Sequence, residues 1–282
     1  MNAFTHMKMN QVRPIMLIGS MKCGTSKLYD YLAQHPEICP CNIKEPQYFS
    51  EYYSDYQKAN RSYESFFDFN PPKHKYVLDG STGYAKYPTV TGVPNRIKEY
   101  GLDPFFIMIV RNPFDRIRSH YNFMQNDLSW KYKITSPHLI NTSKYYMQLQ
   151  QYVAEFAEKN ILVVDFDELK KDPISLSNKV FDFVGAGKFK INLKLSAYQN
   201  KTQPVNRKKM KIDLFFDRMG LYRIELLKKV LKKILIISFP SRQKLLSEKE
   251  SKFIKKELQQ DMSQLYEHYG IDIKKWGFTV SN

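Results

Sequence analysis

The stretch that most constrains the fold is Ile15 to Asp30, which reads Ile-Met-Leu-Ile-Gly-Ser-Met-Lys-Cys-Gly-Thr-Ser-Lys-Leu-Tyr-Asp. Its first four residues form an unbroken apolar run, as expected of a strand buried on both faces of a parallel sheet. Gly19 and Gly24 bracket a tight loop. Thr25 and Ser26 then open a helix whose apolar positions include Leu28, Tyr29 and Leu32. A strand, a glycine loop and a helix start bring backbone N–H groups and the positive end of the helix dipole to one point, where an anion is stabilised. The hydroxyls of Thr25 and Ser26 and the ammonium of Lys22 add donors there. The competing reading is an ordinary strand-to-helix turn with solvated polar residues, because short glycine motifs are weak signals.

The loop is close to a nucleoside triphosphate loop and departs from it. Gly19 and Gly24 keep the required spacing, but Thr25 stands where the lysine belongs, and the lysine has moved inside the loop to Lys22. A Ser or Thr directly after that lysine, which would hold magnesium, is missing. No metal is expected.

Other segments repeat the strand and helix alternation. Tyr76–Asp79, Phe105–Val110 and Ile161–Val164 read as further strands. Helices are expected over 91–100, 144–159, 174–184 and 248–269, with Asp165 to Pro173 as a turn. Pro36 is expected to end the first helix, and Gly101, Gly185 and Gly270 to stop later ones. The aromatic stretch 51–75 is expected to pack across the sheet as helix and loop. The alternation predicts an α/β fold with a central parallel sheet and helices on both faces. One domain over 1–282 is the default for this length.

The formal net charge is +16, and 17 Lys and Arg against 5 Asp and Glu fall within residues 201–256. Such a field favours anionic partners: a nucleotide, an acidic glycan, an anionic polymer or a membrane surface. Leu221 to Ile237 has an apolar stripe facing lysines, which suits either its own core or a membrane surface. Cys23, Cys39 and Cys41 make no disulfide framework. The polar stretch Met1 to Arg13 lacks an apolar signal core, and no segment reaches membrane-spanning length. The expectation is a soluble, cytoplasmic protein.

Two candidate constellations follow. Arg111, at the end of the Phe105–Val110 strand, and Ser119, on the helix after it, are placed to hold one phosphate group, although Arg111 and Asp115 also suit a helix-capping pair. Glu45, between Lys44 and the aromatics Tyr48 and Phe49, reads either as a general base or as a surface carboxylate paired with Lys44.

Taken together, Met21-Lys-Cys-Gly-Thr-Ser26 and Arg111 with Ser119 resemble the two phosphate-binding segments of sulfotransferases that use 3′-phosphoadenosine 5′-phosphosulfate (PAPS). Lys44-Glu-Pro-Gln-Tyr-Phe49, Asp79-Gly-Ser-Thr-Gly-Tyr84, Val163 to Pro173 and Lys275-Trp-Gly277 are similar to segments of the heparan-sulfate-type and bacterial branch, in the same order. The resemblance spans residues 13 to 277. It implies the P-loop-NTPase-like sulfotransferase fold, with PAPS as donor, PAP as product and no required metal. It implies that Lys22, Cys23, Gly24, Thr25 and Ser26 hold the 5′-phosphosulfate end, and that Lys22 stabilises the leaving phosphate oxygen. Arg111 and Ser119 would hold the 3′-phosphate, Asn200 and Lys201 would belong to a covering segment, and Glu45 would be the general base. The implied acceptor is a hydroxyl or amine of a glycan or small natural product, not a nucleic acid. The sequence departs from the branch at Gly80, where a lysine is usual, and at Thr82, where a proline is usual. His120 reads as a packed helix histidine, with help to Glu45 as the alternative. The rival functions are a triphosphate-dependent kinase of related fold and a non-enzymatic binder of anionic polymer or membrane.

Overall fold

A computed structural model describes residues 12–125, 130–195 and 243–280. Asn200, Lys201 and the apolar stripe over 221–237 lie outside the described residues.

Five parallel strands form one sheet in the order β2-β3-β1-β4-β5. They are β1 Arg13–Gly19, β2 Ile38–Pro40, β3 Tyr76–Asp79, β4 Phe105–Val110 and β5 Ile161–Asp165. β1 and β4 carry the longest apolar runs and are buried along nearly their whole length, as inner parallel strands must be when helices cover both faces. The chain leaves β1 for the β2 edge, returns to β3, then crosses to β4 on the other side of β1. The winding direction therefore reverses around β1, and the crevice at the carboxyl end of such a strand is where open α/β sheets take ligands.

Helix α1, Thr25–Leu32, follows β1 directly. It ends before Pro36, because His35 and Ile38 turn the chain through His35 N–H to Leu32 O (3.1 Å) and Ile38 N–H to His35 O (3.1 Å) bonds. The short helices α2 Tyr53–Lys58 and α3 Val93–Glu99 flank the β3 side. Helix α4, Pro113–Met124, follows β4 with Pro113 in its first turn and Asn112 as its cap; Asn112 Oδ1 accepts from Phe114 N at 3.0 Å. Then come α5 Pro137–Asn141, α6 Tyr145–Val153, α7 Phe166–Lys171, α8 Pro173–Val184 and α9 Glu248–Tyr269.

Three expectations need correction. The helix expected over 144–159 is only α6. Tyr152 O accepts from both Glu155 N (3.1 Å) and Phe156 N (2.8 Å), which closes the helix in a tight turn and brings Phe156 onto Phe106, ring centroids 4.9 Å apart. The turn expected between Asp165 and Pro173 is instead α7. Asp165 accepts from Asp167 N to cap α7, and Asp172 accepts from Ser175 N to cap α8. The edge strand β2 has no counterpart in the sequence reading. It is three residues long and ends in Pro40, which only an edge tolerates.

Helix α9 belongs to the same core. A capping box of Ser247 and Glu250 starts it and Gly270, at φ 66°, ends it. Its buried Asp261 accepts from Tyr146 N (3.1 Å) and Met147 N (2.8 Å) and so caps the first turn of α6. No helix among the described residues is long and apolar enough to cross a membrane.

Candidate active site

The loop between β1 and α1 is built from behind. Ser20 N–H donates to Ile109 O (2.9 Å), which extends the β1–β4 pairing into the loop, and Cys23 N–H donates to Ser20 O (3.0 Å) to close a turn. Lys22 and Gly24 take left-handed backbone conformations at φ 71° and 92°. Gly24 caps α1 without a side-chain hydrogen bond, which sets the helix start directly behind the loop. The Ser20 hydroxyl is fully buried and meets no hydrogen-bond partner among the described residues. These are features of an anion cradle.

Gly24 has a second duty. A Cβ there would stand 2.5 Å from Cε2 of Phe166, the first residue of α7. Gly24→Ala combines that clash with a disfavoured φ, and it is expected to cost about 2–4 kcal/mol. The check is a lower denaturation midpoint at an unchanged denaturant slope.

Two cations meet at the mouth. Arg111 leaves the end of β4, and its Nη1 donates to the Lys22 carbonyl at 3.1 Å. The guanidinium carbon lies 4.8 Å from the centroid of the Phe166 ring, while Lys22 Nζ lies 4.4 Å from that of Phe123. Burial pulls the Lys22 ammonium below its ordinary pKa, and the Arg111 charge pushes it the same way. An incoming anion relieves that repulsion. The Arg111–Asp115 pair does exist, at 3.8 Å, but Asp115 lies closer to Arg118, at 2.8 Å, and Asn112 does the capping. Ser119 is half-buried on α4.

Glu45 is held by three side chains. Its Oε1 meets Lys44 Nζ at 3.2 Å, and its Oε2 accepts from Thr82 Oγ1 at 2.8 Å and Gln47 Nε2 at 3.2 Å. Lys44 Nζ also donates to Ser26 Oγ at 2.5 Å, so one side chain ties the phosphate loop to the carboxylate. Behind this lies a buried frame. Asp79, at the end of β3, accepts from the Ser81 amide (2.9 Å), the Ser81 hydroxyl (2.6 Å), Tyr84 OH (2.8 Å) and Tyr63 OH (3.2 Å). Burial raises its pKa to about 6 despite those donors. Ser81 Oγ in turn accepts from Gln47 N–H (2.9 Å), and Gln47 Oε1 accepts from Gly83 N–H (3.1 Å).

The structure thus brings Lys22 to Arg111, and Ser26 through Lys44 to Glu45. Cys23 stands apart from the anion donors. Its sulfur is fully buried 3.7 Å from Tyr145 OH, its thiol is pushed up to about 11 by burial, and its amide is spent on Ser20. Cys23 holds the loop from inside. His120 is likewise inside the core. Its Nδ1 lies 3.2 Å from Arg116 Nη1, and burial followed by the Arg116 charge keeps the ring well below the ordinary histidine range. It is a packed neutral histidine. Sequence reading passed over Gln47 and Thr82 as holders of Glu45, although both stand in the two segments it singled out. It also passed over Arg116, whose position in an arginine-rich helix gave no sign of burial.

The sequence matches the sulfotransferase domain family over residues 13–218, and the chain belongs to that family. It is 27% identical over 192 residues to human heparan sulfate glucosamine 3-O-sulfotransferase 3B1, covering 62% of this chain and 46% of that protein. It is 24% identical over 191 residues to the mouse bifunctional heparan sulfate N-deacetylase/N-sulfotransferase 4, covering 60% of this chain and 22% of that protein. The chain spans less than half the length of these curated relatives. A crystal structure of a sulfotransferase from Alicyclobacillus acidocaldarius superposes with a TM-score of 0.51 at 22% identity, over 77% of this chain and 96% of that one, a likeness of fold.

Proposed function

We propose that this protein transfers a sulfuryl group from PAPS to a hydroxyl or amine of a glycan or small natural product. The observation that carries the reading is the Arg111–Lys22 contact, in which the guanidinium from the end of β4 binds the backbone carbonyl of the loop after β1 and sets a second positive charge near the Lys22 ammonium. The cradle suits a phosphate: it combines the start of α1, the buried Ser20 hydroxyl and two nearby positive charges. PAPS supplies a sulfuryl group attached to a stable leaving phosphate. Lys22, Gly24, Thr25 and Ser26 hold its 5′ end, and Arg111 with Ser119 holds its 3′-phosphate. Asn200 and Lys201 remain assigned to the covering segment. Lys22 neutralises charge that builds on the leaving oxygen. Glu45, aimed by Thr82 and Gln47, takes the acceptor's proton.

The test is ligand-dependent thermal stability. PAP at about 100 times its dissociation constant is expected to add about 2.7 kcal/mol, a rise of roughly 5–10 °C in Tm. Arg111→Ala is expected to weaken PAP about 10–100-fold, the worth of a charge-assisted contact, and to weaken AMP less, because AMP has no 3′-phosphate. A rise with ATP and magnesium but none with PAP would replace this reading with phosphoryl transfer.

A further inference from the structure

We infer that Lys44 is a second catalytic cation of the site, contacting the sulfuryl group between the phosphate loop and Glu45. This rests on the sulfuryl-transfer reading and adds a residue to it.

The argument starts at Gly80. A Cβ at this position would lie 2.7 Å from Cδ2 of Tyr29 and 3.3 Å from the carbonyl oxygen of Lys44. Tyr29 cannot give way easily, because it is buried in α1 and its hydroxyl donates to Cys41 O at 3.2 Å. No side chain can therefore leave residue 80 toward the site. The space is taken by α1 and by the backbone of the Lys44 segment, and that segment brings its own ammonium.

Lys44 is mostly buried, with 18% of its side chain exposed, and its ammonium donates to Ser26 Oγ and meets Glu45 Oε1. Those two contacts mark the ends of the reaction path. In the transfer, the acceptor's proton goes to Glu45 and the acceptor's lone pair forms the new bond to sulfur. The old bond from sulfur to the bridging oxygen breaks, and its electron pair stays on the departing phosphate. The sulfuryl group crosses from the Ser26 end to the Glu45 end, and Lys44 is the positive charge that touches both. An ammonium carries three donors on a flexible stem, so it can exchange the Ser26 hydroxyl for a sulfuryl oxygen without releasing Glu45.

The position makes a prediction that needs no acceptor. PAPS and PAP differ by the sulfuryl group alone, so a residue that contacts it separates the two ligands. Lys44→Met is expected to raise the PAPS Kd about tenfold and to change the PAP Kd less than about twofold, measured by calorimetry on the 282-residue chain. Lys44→Arg, which keeps the charge, is expected to recover the preference for PAPS. Lys22→Met serves as the contrast and is expected to weaken both ligands. If Lys44→Met weakens PAP as much as PAPS, or weakens neither, Lys44 does not meet the sulfuryl group and the inference is overturned. If the unaltered chain binds neither ligand, the sulfuryl-transfer reading itself fails, and the two failures are told apart by that first titration.

Discussion

Glu45→Gln is expected to lower turnover at least about 100-fold, within the range a positioned general base contributes, while PAP binds as before. The substitution keeps the size and planarity of the side chain and removes its ability to take a proton. Thr82 Oγ1 and Gln47 Nε2 are donors to Glu45 Oε2, and Lys44 Nζ is a donor at Oε1. A glutamine offers one carbonyl oxygen and a donating NH₂, so at least one of these contacts becomes donor against donor or must rearrange. Rearrangement near Glu45 is expected to shift Tm by no more than a few degrees, because the carboxylate is half-exposed and contributes little to the core. The measurement is a pair of numbers on the same preparation: steady-state release of PAP with a sulfated acceptor, and the Kd of PAP. Loss of turnover with an intact Kd assigns the proton transfer to Glu45. Turnover within about threefold of the unaltered protein removes Glu45 as base. Thr82→Ala, which loses only the orienting contact, is expected to fall between the two.

The strand sequence and the phosphate loop were legible because they depend on short-range rules. Ile15 to Ile18 and Phe105 to Val110 are uninterrupted apolar runs that only a doubly covered parallel strand explains, and Gly24 sits where a positive φ is needed. The helix over 248–269 announces its end by Gly270, while the Ser247–Glu250 capping box at its start is a finding of the structure. The failures occurred where a partner distant in sequence decides the outcome. Helix α7 is six residues long and survives because Phe166 packs against Gly24 and Arg111, which sequence spacing cannot reveal. The site followed the same division. Lys22, Ser26 and Arg111 stand beside the ends of readable elements, and Glu45 stands in a loop singled out by its neighbours Lys44, Tyr48 and Phe49. The Lys44 bridge, the Thr82 contact and the inward turn of Cys23 depend on how three loops meet above the sheet. Gly80 shows the point most clearly. In sequence it is a missing lysine, and in the structure it is the only residue that leaves room for Tyr29.

Arg116→Met is expected to destabilise the protein by about 2–4 kcal/mol and to weaken PAP about tenfold. Arg116 is completely buried in α4. Its Nε donates to Ser143 Oγ (2.6 Å), and its Nη2 donates to Leu139 O (2.5 Å) and Thr142 Oγ1 (3.0 Å). Its Nη1 reaches the Met21 carbonyl of the phosphate loop at 3.4 Å. All of these acceptors are neutral, and among the described residues no carboxylate pairs with it. Burial pulls its pKa down, but a guanidinium stays charged in any protein interior. A buried charge without a counter-ion is costly, and replacing it by a matching apolar side chain would remove that cost. Methionine does so only in part, because it leaves Leu139 O, Ser143 Oγ and Thr142 Oγ1 without their donor. Each unsatisfied buried acceptor costs about 1–3 kcal/mol, partly offset here because Ser143 Oγ (3.1 Å) and Thr142 Oγ1 (3.2 Å) still donate to Leu139 O. The net loss is therefore expected to be moderate and the effect on ligand binding to be the more telling one. Without Arg116, the Met21 carbonyl loses its tie to α4 and the cradle loses a positive charge beneath it. An anion bound at the loop would supply Arg116 with the counter-ion that none of the described residues supplies. PAP is then expected to raise the Tm of the unaltered protein more than that of Arg116→Met at equal PAP concentration, because the larger dissociation constant of the variant gives a smaller stabilisation. A variant that loses stability but keeps the full PAP affinity would make Arg116 a packing residue alone.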